Sequence, residues 1–162
     1  MSYIESGKKE GARLVLGGKR VGTKGFFIEP TIFADLKDEM TIAKEEIFGP
    51  VMGIFKYHSN EEVIERMNSS RYGLGAGVVT ENASEAIEFT RKIRAGTVYV
   101  NCYNVFGATT PFGGYKDSGL GRELGEAGIA NYLELKTIIQ HRGYSLARVK
   151  SFGTYSNISW VI

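Results

Sequence analysis

The sequence predicts an α/β fold built on a parallel sheet of βαβ units, and three observations carry that expectation. Short runs rich in Val, Ile, Phe and Tyr alternate with helical stretches between Val51 and Asn101. Two of those helices are announced by side-chain caps, at Ser59 and Asn82. The connections between them run to only two to four residues, as crossover units require.

Taken in order, residues 4–10 read as the end of a helix stopped at Gly11, and Arg13–Leu16 as a short apolar strand turning at Gly17-Gly18. Phe26-Phe27-Ile28 runs through Pro30 into Thr31-Ile32-Phe33. Proline cannot donate to a ladder, so this stretch is expected at a sheet edge or as an interrupted strand. Residues 51–57 form the next strand. Ser59-Asn60-Glu61-Glu62 has the form of a capping box, and Val63, Ile64 and Met67 give the helix behind it one apolar face. Residues 74–80 make another strand. Asn82 opens a second helix, with Ala83, Ala86, Ile87, Thr90 and Ile93 at helical spacing, and residues 97–101 close the run as a strand.

The pattern then changes. Gly makes up 21 of the 162 residues, well above the average of about 7%, and residues 102–121 form a long glycine-rich loop of the kind that is usually functional. Residues 124–130 read as a short helix. Residues 132–140 alternate, with Leu133, Leu135, Thr137 and Ile139 on one side, and suggest a strand that pairs in its own sheet or with another subunit. Residues 142–162 show no period.

Composition bounds the function. The hydrophobic share of 43% and charged share of 23% are those of a globular chain, and 162 residues suffice for one domain with a real core. Basic and acidic side chains number 20 and 18 and are interspersed, which argues against nucleic acid as a partner. No apolar run approaches the ~20 residues of a membrane span. The opening Met-Ser-Tyr-Ile-Glu-Ser-Gly-Lys-Lys lacks the apolar region of a signal peptide. The expected location is intracellular, cytoplasmic or mitochondrial, and the sequons at Asn68, Asn82 and Asn157 read as chance matches.

Few motifs survive inspection for chemistry. Gly119-Leu-Gly121-Arg-Glu-Leu-Gly125 has its third glycine one place late for a dinucleotide fingerprint and follows no βαβ strand; a turn leading into a short helix is the better account. His58 and His141 have no ligand partners at metal spacing. The single cysteine, Cys102, directly follows a strand and is read as a small buried hydrophobe in preference to a nucleophile. Glu45-Glu46-Ile47-Phe48-Gly49-Pro50 places two carboxylates and an aromatic before a strand. It reads either as a crevice lining, where a carboxylate suits ribose hydroxyls, or as a solvated turn with its aromatic anchored in the core.

That segment resembles the Glu-Glu-x-Phe-Gly-Pro motif of NAD(P)-dependent aldehyde dehydrogenases. Ala95-Gly96-Thr97-Val98-Tyr99-Val100-Asn101 is similar to the family's last catalytic-domain strand. Pro111-Phe112-Gly113-Gly114-Tyr115-Lys116-Asp117-Ser118-Gly119 is similar to its Pro-Phe-Gly-Gly-x-Lys-x-Ser-Gly loop, and Gly121-Arg122-Glu123-Leu124-Gly125 follows. The three motifs occur in order, the resemblance runs from residue 3 to residue 137, and Val100-Asn101-Cys102-Tyr103 resembles the retinal and mitochondrial branch.

The resemblance implies a C-terminal portion of such an enzyme: residues 1–101 from the catalytic domain, 102–141 a glycine-rich loop and oligomerisation segment, 142–162 a divergent tail. It implies that Glu46 holds the nicotinamide ribose, that Phe48 packs near the nicotinamide, and that Phe106 and Phe112 line the aldehyde tunnel. It places Arg122 and Glu134 at subunit contacts, and residues 132–140 in a strand extending a sheet across a dimer. Cys102 matches a position that is not the nucleophile. The family's nucleophilic cysteine, general-base glutamate and Rossmann glycines match nothing in these residues. The expectation is therefore a homo-oligomer or part of a larger assembly, inactive alone, binding no NAD or NADP by itself, with no metal. The alternatives are a non-catalytic interaction protein reusing the fold, or an independent aldehyde or nucleotide binder.

Overall fold

In the computed structural model, which describes residues 1–140, helix α1 (Ser2–Lys9) lays Ile4 and Gly7 against the sheet behind it. Gly11, at φ 89°, ends that helix where the sequence expects it. Strand β1 (Arg13–Leu16) then pairs antiparallel with β2 (Thr31–Ala34). Gly17 and Gly18 between them both sit at positive φ. Helix α2 (Thr41–Lys44) is the crossover that returns the chain to β3 (Val51–Gly53), parallel to β2.

The order β1-β2-β3 makes β2 the central strand, which corrects the edge placement inferred from Pro30. The proline stands one residue ahead of the strand, so its missing N–H falls outside the ladder. The first ladder donor is Thr31, whose N–H reaches the Pro50 carbonyl at 2.8 Å. Strand β3 is also shorter than the predicted 51–57.

Helix α3 (Asn60–Ser69), β4 (Gly75–Val78), α4 (Ala83–Lys92) and β5 (Thr97–Val100) follow. β4 and β5 run parallel in register Gly75↔Thr97 to Val78↔Val100, which is a βαβ unit as the alternation predicts. The expectation fails one step earlier: β3 and β4 lie in different sheets. The parallel partner of β3 is β2, reached through α2, so the described residues hold two parallel crossovers in two separate sheets.

Both predicted caps are present. The Ser59 hydroxyl accepts from the Glu62 N–H at 3.2 Å, while the Glu62 carboxylate reaches the His58 N–H at 2.8 Å. This is a capping box shifted outward by one residue. The Asn82 amide oxygen accepts from Ser84 and Glu85. Asn82→Ala is expected to cost about 1 kcal/mol, read as a lower unfolding midpoint in urea; an unchanged midpoint would contradict the assigned cap. Asn68, in a second sequon, accepts from the Arg94 N–H and donates to the Lys92 carbonyl, so two sequon asparagines have local structural work. Asn157 lies outside the described residues.

Two cores result. Ile4, Ala12, Phe33, Leu36, Met40 and Ile42 form the first. Ile64, Ala76, Phe89, Ile93 and Ala95 form the second, with Val63 and Met67 packed against it as predicted. On α4 the buried residue is Phe89. Of the stripe read from spacing only Ile93 is buried; Ala83, Ala86, Ile87 and Thr90 line an open groove with Val79 and Val100. Period alone identified an apolar face but not which face the sheet covers.

Helix α5 (Gly125–Ile129) occupies the place expected of it. The first of two units ends at Asn131. Residues 133–140 carry neither helix nor strand and are exposed. Among the described residues the expected strand over 132–140 is not formed. Residue 141 and the tail 142–162 lie outside the described residues. Among the described residues no helix is long and apolar enough to cross a membrane.

Candidate functional site

Helix α2 ends at Glu45, whose backbone turns extended. Ile47 is the residue that anchors the turn, packed against the first core. Phe48 is 92% exposed and held at φ 52°, a conformation that costs a non-glycine residue of order 1 kcal/mol. The aromatic is therefore not anchored in the core, which corrects that part of the solvated-turn reading. Glu46 beside it is exposed.

Both ends of α2 are tied to α1. The Glu10 carboxylate accepts from the Thr41 N–H at 2.7 Å, from its hydroxyl at 2.6 Å, and from the Ser6 hydroxyl at 2.9 Å. The Thr41 hydroxyl, then its amide, then Ser6 hold the Glu10 carboxyl below the usual glutamate range. A lowered folded value means the contribution is present above the unfolded value and fades as pH falls through the folded one. At the other end the Tyr3 hydroxyl donates to Glu45 at 2.9 Å. That hydrogen bond, reinforced by the Glu45 charge, raises the phenol above its ordinary value.

The glycine-rich segment is closely bonded despite having little regular structure. Phe112 and Glu123 exchange backbone hydrogen bonds at 2.8 and 2.7 Å, which brings the Phe112 ring edge-on to Phe106, with centroids 5.2 Å apart at 84°. The two predicted tunnel aromatics are thus brought together. Among the described residues no ring pair joins them to Phe48. Arg122 donates to the carbonyls of Gly114 and Gly121 at 3.0 and 2.6 Å and stacks over Tyr115, so its guanidinium is engaged within its own loop. Glu134 is exposed in the stretch that follows the first unit.

Sequence reasoning missed a clamp in this segment. Lys116, at φ 53°, donates to the carbonyls of Asn68 and Ser70 at the C-terminal end of α3. A cation there complements the helix dipole. Arg71 pairs with Asp117 at 2.7 Å, and the Ser118 hydroxyl accepts from the Gly73 N–H. Lys, Asp and Ser therefore fasten the loop to the α3–β4 connection; the family motif contains Lys116 and Ser118, but their partners are not legible in the sequence. Replacing Lys116 by Met is expected to cost about 1–2 kcal/mol and to speed amide exchange at Asp117, whose N–H bonds the Arg71 carbonyl. Exchange at wild-type rates would rule the clamp out.

Cys102 is exposed, which corrects the reading that it is buried. It follows Asn101, whose positive φ turns the chain out of β5; among the described residues no base hydrogen-bonds its sulfur. Gly119, Gly121 and Gly125 all sit at positive φ and lead into α5, a turn ahead of a short helix as the sequence expects. Among the described residues no cluster of three or more metal-ligating side chains exists.

Comparison with known proteins bears on this geometry. The aldehyde dehydrogenase family profile matches residues 1–138. The chain belongs to the aldehyde dehydrogenase family. It is 56% identical over 138 residues to human mitochondrial aldehyde dehydrogenase, covering 85% of this chain and 27% of that protein. Identity is also 56% to a putative aldehyde dehydrogenase of Bacillus subtilis, covering 85% and 28%. A solved NAD+ complex of aldehyde dehydrogenase from Bacillus cereus aligns with TM-score 0.81 at 55% identity, over 83% of this chain and 28% of that one. A Mycobacterium tuberculosis aldehyde dehydrogenase complexed with NAD+ gives 0.83 at 46%, over 90% and 30%. The chain spans between a quarter and a third of the length of these aldehyde dehydrogenases, and its two parallel crossovers are segments of their α/β fold.

Proposed function

We propose that this chain supplies the C-terminal part of the catalytic unit of an NAD(P)+-dependent aldehyde dehydrogenase that oxidises an aldehyde to a carboxylic acid. The observation that supports this most is the turn at Glu46 and Phe48. An exposed carboxylate and an exposed ring, the ring in a strained backbone conformation, stand two residues apart just past the end of a short crossover helix. That donor set fits a nicotinamide ribose: a carboxylate accepts from two vicinal hydroxyls, and an aromatic face covers an apolar ring. What the cofactor supplies when bound is acceptance of hydride from the substrate carbon. Glu46 orients the ribose, Phe48 packs near the nicotinamide, and the Phe106–Phe112 pair walls the aldehyde path and excludes water. Arg122 and Glu134 lie at subunit contacts, with residues 132–140 extending a sheet across a homo-oligomer inside the cell, in cytoplasm or mitochondria.

The 162 residues alone are inactive and hold no cofactor in this reading, because a nucleophilic thiolate, a water-activating carboxylate and a Rossmann loop are needed besides. The test is purified chain with propanal and NAD+, followed by NADH absorbance. The expected rate equals the no-protein control. Adding the preceding region of the Bacillus cereus enzyme as a separate polypeptide is expected to produce NADH, and Glu46→Gln in that pair to raise KM for NAD+ at least tenfold. Sustained turnover by the chain alone, or a silent pair, rejects the proposal.

A second reading, a non-catalytic assembly protein, is favoured by one observation: Leu133, Leu135, Ile138 and Ile139 are all exposed, a run that covered monomers seldom leave bare. Sedimentation of the chain as a monomer at tens of micromolar would remove it.

A further inference from the structure

The placing of Glu46 and Phe48 depends on an element the family motifs do not include. Helix α2 has four residues, far below the length at which a helix holds itself together. Its position must come from tertiary contacts: Ile42 is buried in the first core, and Glu10 and Tyr3 hold the two ends. Glu10 takes up the Thr41 N–H and hydroxyl, closing the N-terminal end of α2 as a cap supplied from another helix. Tyr3, two turns earlier on α1, holds Glu45 at the opposite end. Between them Gly7 lets the helices approach: a Cβ there would stand 2.8 Å from Ile42 Cδ1 and 3.2 Å from the Phe33 ring. The turn that carries Glu46 and Phe48 begins directly where this brace ends. The sequence separation is 31 residues for Glu10 to Thr41 and 42 for Tyr3 to Glu45.

We propose that Tyr3 and Glu10 are positioning residues for the Glu46–Phe48 turn, fixing it from α1 through the two ends of α2. The inference rests on the functional reading above for its consequence, but its geometry belongs to this chain alone. Neither side chain touches the proposed cofactor; each acts through α2. Loss of either contact leaves the first core and its Ile47 anchor in place and loosens the end of α2 from which the turn departs.

The experiment has two arms. In the first, amide exchange is followed by NMR in the full 162-residue chain for Tyr3→Phe, Glu10→Gln and Glu10→Ala. The Thr41 and Glu45 amides are expected to exchange at least tenfold faster in Glu10→Ala, with partial rescue in Glu10→Gln, which keeps an acceptor for Thr41. Amides of β4 and β5 should not change. Tyr3→Phe should shift the Glu46 and Phe48 resonances. In the second arm the chain is paired with the preceding region of the Bacillus cereus enzyme. There the Glu10→Ala and Tyr3→Phe variants should raise KM for NAD+ at least fivefold, with kcat within twofold of wild type. Unchanged exchange and resonances overturn the brace, and faster exchange with an unchanged KM overturns its positioning role. If the wild-type pair makes no NADH, the functional reading falls, and the exchange arm alone decides whether α1 holds the turn.

Discussion

Phe33→Ala is expected to lower stability by about 3–5 kcal/mol, a large share of the total of order 5–15 kcal/mol that holds a domain folded. Phe33 is 0% exposed and stands on the central strand of the β1-β2-β3 sheet. Its ring lies so close to Gly7 that no Cβ would fit between them without a shift. Residues from α1, from the β2–α2 connection and from α2 converge on the same cluster. Truncation removes a ring's worth of transfer energy and leaves a cavity that two helices and a sheet cannot close together. Urea unfolding measures it: with a slope of about 2 kcal/mol per molar, the midpoint should fall by about 2 M. A fall of less than about 0.5 M would mean that the first core is not organised on this side chain.

Gly96→Ala is expected to be still more damaging, through backbone in place of cavity. A Cβ on Gly96 would lie far inside van der Waals contact with the Gly113 carbonyl oxygen and 2.8 Å from its carbonyl carbon. Neither atom can rotate away as a side chain would. The Gly96 N–H donates to the Gly73 carbonyl, which also receives the Tyr115 N–H. A methyl group therefore separates the start of β5 from the glycine-rich segment and strips bonds from both. A loss of at least about 4 kcal/mol is expected, in the range reserved for a few identifiable defects, together with loss of the Phe106–Phe112 ring contact. Gly75→Ala is the control. Its Cβ would meet only Tyr99 Cε2 at 4.0 Å, so it should change stability by less than about 1 kcal/mol. Circular dichroism melts of the two variants decide the matter: equal melting temperatures would show that the loop does not lie against Gly96.

Much of this protein was legible residue by residue. Ser59 and Asn82 named the starts of α3 and α4, because a cap is a bond between near neighbours in the chain. Gly11 and the Gly17-Gly18 pair marked a helix end and a turn because φ is a local quantity. The parallel pairing of β4 with β5 followed from one short crossover. The motifs around Glu46, Lys116 and Arg122 sufficed to identify the family, since three of them occur in order along one chain. What the sequence alone could not decide is which neighbours meet across distance. That β2 is central, that β3 and β4 part into separate sheets, and that Phe89 and not Ile87 is buried depend on which faces pack together. So do Phe48 standing clear of the core, Lys116 fastening α3, and Glu10 and Tyr3 holding α2 from 31 and 42 residues away. Local patterns fix φ, caps and period, whereas burial and long-range pairing are set by the free energy of whole packed surfaces, which no single segment encodes.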